Sequence, residues 1–78
     1  MPTISHPYPV LCQRLLEQGY QVTAPSAQTA AIDAEACREW PCEGCGHVGL
    51  TYRPFHHPTE HSYRAFAVCS QCGRVEEF

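Results

Sequence analysis

Two stretches of this chain are near-copies of each other, Cys42-Glu43-Gly44-Cys45-Gly46-His47-Val48 and Cys69-Ser70-Gln71-Cys72-Gly73-Arg74-Val75. Both read C-x-x-C-G-x-V. A C-x-x-C turn brings two sulfurs to one point, and two such turns supply the four thiolates of a tetrahedral metal site. Gly46 and Gly73 follow the second cysteine of each pair, where a tight knuckle needs positive φ and aims backbone N–H groups at the sulfurs. Those donors matter because a divalent ion with four thiolates carries a net charge of −2 that hydrogen bonds must soften. His47 and Arg74, next in line, are further candidate donors. The metal ligands are therefore Cys42, Cys45, Cys69 and Cys72, and the expected ion is one Zn²⁺ per chain.

These knuckles resemble those of the zinc-ribbon family, with the same four cysteines in the ligand positions. The resemblance covers the C-terminal half and implies a small β-ribbon folded around a metal, without implying a particular biological role. The spacing is also similar to that of rubredoxin, which places iron between two such knuckles, so an iron electron-transfer centre is the alternative. Neither knuckle has the proline common in rubredoxins. A third arrangement, Cys37-x4-Cys42-x2-Cys45, fits the opening of a plant-type [2Fe–2S] pattern, but Arg38-Glu39-Trp40-Pro41 is too bulky for that loop. A dithiol oxidoreductase carries one reactive pair rather than two pairs flanking a hairpin. Zinc is preferred on ligand type.

At 78 residues the chain is read as one domain, small enough for a metal to supplement its core. Its charged fraction of 17% and net charge of −3 suit neither a disordered chain nor a general nucleic-acid binder. All five basic residues are arginine, Arg14, Arg38, Arg53, Arg64 and Arg74. Scattered singly, they make no patch. The N-terminal stretch lacks the basic start and apolar run of a signal peptide, and no apolar segment is long enough to span a bilayer. With paired knuckles, this points to reduced, metal-bound thiols in the cytoplasm rather than to disulfides.

Residues 1–9 contain Pro2, Pro7 and Pro9 and read as an extended arm. From Val10 to Gln18, Leu11, Cys12, Leu15 and Leu16 fall at helical spacing and Gly19 stops the helix. Tyr20 to Thr23 alternates like a brief strand. A second helix is expected from about Ser26 to Glu39, capped by Ser26 or Thr29, with Ile32, Ala36 and Trp40 as its packing row, Cys37 beside them, and Trp40-Pro41 as its end. Residues 10–40 thus read as a helical cap and 41–78 as the ribbon. Gly49 to Phe55 and Tyr63 to Cys69 form its hairpin, with Phe55 opposite Tyr63, Tyr52 opposite Phe66 and Leu50 opposite Val68, which gives one apolar face. A third, edge strand is expected through Val75 and Phe78, guarded by Glu76 and Glu77. The fold class is a small α+β metal-bound domain with two or three antiparallel strands and two short N-terminal helices.

Outside the knuckles the chemistry is sparse. Cys12 and Cys37 lie on apolar helical stripes and read as small core residues, with second-site ligands or a regulatory disulfide as the alternative. His56, His57 and His61 share the hairpin tip; a second metal is the alternative to a solvated turn. In the expected register Arg53 and Arg64 point to opposite faces, which argues against a nucleic-acid interface. Ribbons that stimulate RNA cleavage carry an adjacent acidic pair at this tip, whereas Glu60 here stands alone. There is no nucleophile elbow, phosphate loop or H-E-x-x-H helix, and four thiolates leave zinc no open position. The expectation is therefore a non-enzymatic zinc protein that binds another protein as an adaptor, with iron electron transfer and nucleic-acid binding as alternatives and no membrane association.

Overall fold

The computed structural model describes Thr3–Ile4 and residues 7–77; the arm's Met1, Pro2, Ser5 and His6 and the last strand's Phe78 lie outside the described residues. Its elements in chain order are β1 (Thr3–Ile4), α1 (Tyr8–Glu17), α2 (Ala27–Glu39), β2 (Thr51–His57), β3 (Ser62–Val68) and β4 (Val75–Glu77). The strands form one antiparallel sheet in the order β1-β4-β3-β2. The fold is thus a small α+β domain.

Helix α1 starts earlier than the prolines suggest. Pro7 is its N-cap residue and Pro9 lies in its first turn, where a missing N–H costs nothing and fixed φ suits the helix. Its end is a Schellman motif: the Tyr20 N–H donates to Leu15 O at 3.0 Å and the Gly19 N–H to Leu16 O at 3.1 Å, with Gly19 at φ +97°. Helix α2 begins at Ser26, whose side chain accepts the Thr29 N–H at 3.1 Å. It stops at Trp40, held extended before Pro41.

The hairpin differs from the expected register by one residue. Phe55 pairs with Arg64, Tyr52 with Ala67 and Arg53 with Phe66. The strands run on to His57 and Ser62 and leave a four-residue tip, in which His61 takes the left-handed conformation at φ 53°. An even-numbered tip flips the pairing relative to the seven-residue one expected, and every side chain of one strand changes partner. Phe55, Phe66, Val75, Arg53 and Arg64 then share one face of the pleat, with Tyr52, Tyr63, Ala65, Ala67 and Glu76 on the other.

The sheet is consequently covered on both faces, not one. Leu11 and Leu15 of α1 pack with Phe55, Phe66 and Val75, with Tyr8, Cys12, Tyr20 and Val68 at the margin. The Phe55 and Phe66 rings meet edge to face with centroids 5.7 Å apart. On the reverse face α2 lies chiefly over β2, and Cys37, Leu50 and Ala67 form a second core with Cys42 and Cys69. Ala65, Phe66 and Ala67 are therefore buried in succession, a run that strict alternation misses.

The α2 stripe is also turned from the expected one. Ile32 is 59% exposed, while Asp33, Cys37 and Trp40 face inward. Asp33 is tolerated there because the Tyr63 hydroxyl donates to it at 2.6 Å and Tyr63 in turn meets the Tyr52 hydroxyl at 2.5 Å. β4 is not an edge strand. Thr3–Ile4 pairs along it, so part of the expected arm is a strand. Gln21 exchanges two backbone hydrogen bonds with His56 at the far edge, where Pro54 occupies an outer-strand position that lacks a donor.

Candidate metal centre

The two knuckles fold identically at the backbone. The Cys42 N–H donates to His47 O at 2.7 Å and the Cys69 N–H to Arg74 O at 2.9 Å; the Gly46 N–H donates to Cys42 O at 2.8 Å and the Gly73 N–H to Cys69 O at 2.9 Å. Gly46 and Gly73 lie at φ 78° and 80°, as the motif requires. The repeat in sequence is thus a repeat in structure, and it places two C-x-x-C turns against each other.

Each knuckle leads into the sheet. The first is tied to α2, since the Leu50 N–H donates to Cys37 O at 2.9 Å and the Gly49 N–H to Trp40 O at 3.3 Å, and Pro41 bridges to Val48. The second spans the turn between β3 and β4. Cys42 and Cys69 are buried, and Cys45 and Cys72 are exposed.

All four sulfurs lie within 4.8 Å of one another. Two approaches run between knuckles, Cys42 Sγ to Cys72 Sγ at 3.5 Å and Cys45 Sγ to Cys69 Sγ at 3.6 Å. A tetrahedron with metal–sulfur bonds of about 2.3 Å has sulfur–sulfur edges of about 3.8 Å, so the cluster has the dimensions to hold one ion. All six cysteines are free thiols rather than disulfides.

Backbone donors already tune these thiols. The Cys72 and Gln71 N–H groups hold Cys69 down to about 6 against the opposing effect of burial. The Arg74 N–H pulls Cys72 down, but the neighbouring Cys42 thiol and burial outweigh it and push Cys72 up to about 12. Cys45 likewise receives the His47 N–H and is still raised by Cys69 and burial. Four close sulfurs resist joint ionisation until a cation joins them.

No family model, curated protein or solved structure matches the chain. The function must therefore be read from the cluster and its surroundings.

Arg74 serves the sulfurs through its backbone N–H, which reaches Cys72. Its guanidinium donates from Nε to Glu76 Oε1 at 3.0 Å and reaches Glu43 Oε2 at 3.4 Å, and its charge lies near Cys42 as well. Glu76, 2% exposed, is thereby a buried and paired carboxylate rather than an edge guard. Glu77 is likewise engaged, accepting two bonds from Arg64 at 2.8 Å. The stem of Arg74 passes so close to Gly44 that a Cβ there would meet its Cδ at 3.3 Å. The two knuckles differ only at Glu43-Gly44 against Ser70-Gln71 and at His47 against Arg74, and two members of this triad stand at those positions.

Arg53 and Arg64 share a face, against expectation, because of the shifted register. Arg64 is tied to Glu77 and lies over Phe66, and Arg53 lies 5.4 Å from the centroid of the Tyr8 ring. The hairpin histidines do not converge. His57 Nδ1 accepts the Glu60 N–H at 3.1 Å, so its Nε2 carries the proton and donates to Gln18 O at 3.1 Å. It docks the hairpin tip onto the end of α1, with its ring edge-on to Tyr20. Among the described residues the four knuckle cysteines are the only group of three or more potential ligands at metal spacing.

Cys12 packs at the margin of the α1 core and Cys37 inside the α2 core, on opposite faces of the sheet. Burial first, and then the Asp33 charge, pushes the Cys37 thiol up to about 11. Neither joins the sulfur cluster. Of the depressions on the surface, one follows α1 from Pro9 to Glu17 and holds no cysteine; another lies beside the cluster, between Trp40, Pro41, Glu43 and Glu76. Among the described residues no helix is long and apolar enough to cross a membrane.

Proposed function

We propose that Cys42, Cys45, Cys69 and Cys72 hold one zinc ion in a closed structural centre of zinc-ribbon type, and that the chain is a cytoplasmic adaptor that binds another protein. The observation that carries the metal reading is the convergence of four sulfurs from two identically bonded knuckles. An all-thiolate set favours zinc and fills its tetrahedron, so the ion has no position at which to activate water. Its work is structural: it joins the end of α2 to the β3–β4 turn, and metal binding supplies folding free energy that this small core lacks.

The adaptor role rests on the disposition of the surface. Val48, next to the first knuckle, is 62% exposed and Ile32 on α2 is 59% exposed. Arg53, Arg64 and Arg74 are engaged within the chain, which weighs against a phosphate-binding face built on them. Affinity capture with the metal-loaded protein, read by mass spectrometry, tests this role. A discrete partner retained by the wild type and lost with Cys45→Ser is the expected result; capture of nothing above background overturns it.

A second reading draws on one observation. Cys45 and Cys72 are exposed, so an ion held there lies at the surface, where an iron centre could exchange electrons with a partner. Colour and an iron signal in protein purified without added metal would support that reading; a colourless zinc form removes it.

A further inference from the structure

We propose that the groove beside the sulfur cluster, lined by Trp40, Pro41, Glu43 and Glu76, docks a lysine or arginine side chain presented by a partner protein. The proposal rests on the adaptor reading and gives that reading a site and a partner chemistry. The depression holds about 320 Å³. Trp40 and Pro41 give it apolar walls, Glu43 brings an exposed carboxylate to it, and Glu76, buried and paired with Arg74, also lines it. A long aliphatic stem ending in a cation is complementary to both parts: the stem covers apolar surface, and the charge meets carboxylate and indole.

Charge selects among occupants. Glu43 and Glu76 are opposed by the single guanidinium of Arg74, which leaves one negative charge among the three. The adjoining four thiolates add two more when they hold a divalent ion. An acidic segment is repelled from such a surface, and a purely apolar one strips water from the exposed Glu43 carboxylate without replacing its hydrogen bonds. A basic segment alone gains on both counts.

The groove is also held in shape before any partner arrives. The backbone of Trp40 is held by its amide N–H bond to Cys37 O and by the Gly49 N–H that its carbonyl accepts, Pro41 is bridged to Val48, and Glu76 is clamped by Arg74. Little ordering is left to be done on binding. Val48 continues the apolar surface beyond Pro41, so a residue flanking the basic one finds contact there.

The test uses the full-length, metal-loaded chain and capped eight-residue peptides alternating glycine with arginine, lysine or glutamate. Trp40 is the single tryptophan, so its fluorescence and indole N–H resonance report on the groove directly. The arginine and lysine peptides are expected to shift both signals, with affinity falling as salt rises, and the glutamate peptide to shift neither. Glu43→Gln, at an exposed position and with its fold and metal content checked by circular dichroism and elemental analysis, is expected to weaken binding roughly fivefold, the scale of one exposed ion pair. Glu17→Gln, the same charge change on α1, is expected to leave affinity unchanged.

The proposal is overturned if basic peptides leave Trp40 unmoved, if Glu17→Gln weakens binding as much as Glu43→Gln, or if the Trp40 signals shift with protein concentration alone because a second copy of the chain fills the groove. A captured partner that is retained by Glu43→Gln, with no basic peptide binding, sinks this groove and leaves the adaptor reading standing. A chain that captures no partner at all sinks the adaptor reading itself.

Discussion

Gly46 and Gly73 sit at positive φ with no atom within 4 Å of where a Cβ would stand, so substituting either is a matter of backbone strain and not of space. Gly46→Ala is expected to lower stability by about 1–2 kcal/mol, the cost of the left-handed conformation for a residue with a Cβ, with the metal still bound at one ion per chain. Denaturant titration checks this. Cys37 makes a different residue-scale prediction. Its thiol lies above its ordinary value of about 9, at about 11, through burial and the Asp33 charge. A folded value raised above the unfolded one means that the fold favours the neutral thiol. The associated stability is present below about pH 9 and is lost as pH rises through 11. Stability measured across that window should fall for the wild type and lose this component in Cys37→Ala. Both features bear on legibility. The motif announced the glycines because their role is local, whereas Arg74 drew attention only as a possible sulfur donor and its ties to Glu43 and Glu76 depend on contacts that no spacing encodes.

At the scale of elements, the two helices are legible from apolar spacing and stop signals, and α1 starts before the expected Val10 because Pro7 and Pro9 suit a first helical turn as well as an extended arm. The hairpin shows why pairing is harder to read than existence. Its strands were legible, but the pairing turns on whether the tip has an even or odd number of residues, and His61 adopts a left-handed turn position usually signalled by glycine or asparagine. That single step moved Arg53 and Arg64 onto one face and exposed the need for a second covering layer. Helix α2 supplies it, lying over β2 with Cys37 packed in one cluster with Ala67. Phe66, fully buried between Phe55 and α1, should therefore be the costliest apolar residue of the sheet to truncate. Phe66→Ala is expected to lose about 3–5 kcal/mol, a large part of the stability of a domain this size, and its thermal unfolding should show that loss with the metal in place.

For the whole molecule, the sulfur cluster joins the end of α2, through the first knuckle, to β3 and β4, through the second, beside the sheet and the Arg74–Glu43 ion pair that also connect them. Removing the ion should therefore loosen the α2 core, which contains Cys42 and Cys69 themselves, before it reaches the α1 core on the other face. Titration with a strong chelator, followed by amide exchange, is expected to expose α2 and both knuckles first, and Cys69→Ser should show the same pattern without chelator. Uniform protection after chelation would mean that the fold does not depend on the centre. The central claim is that four sulfurs share one zinc ion, and elemental analysis of protein purified natively from medium containing both zinc and iron tests it most directly. One zinc and no iron per chain is the predicted result; a metal-free folded chain, or iron in stoichiometric amount, would contradict it.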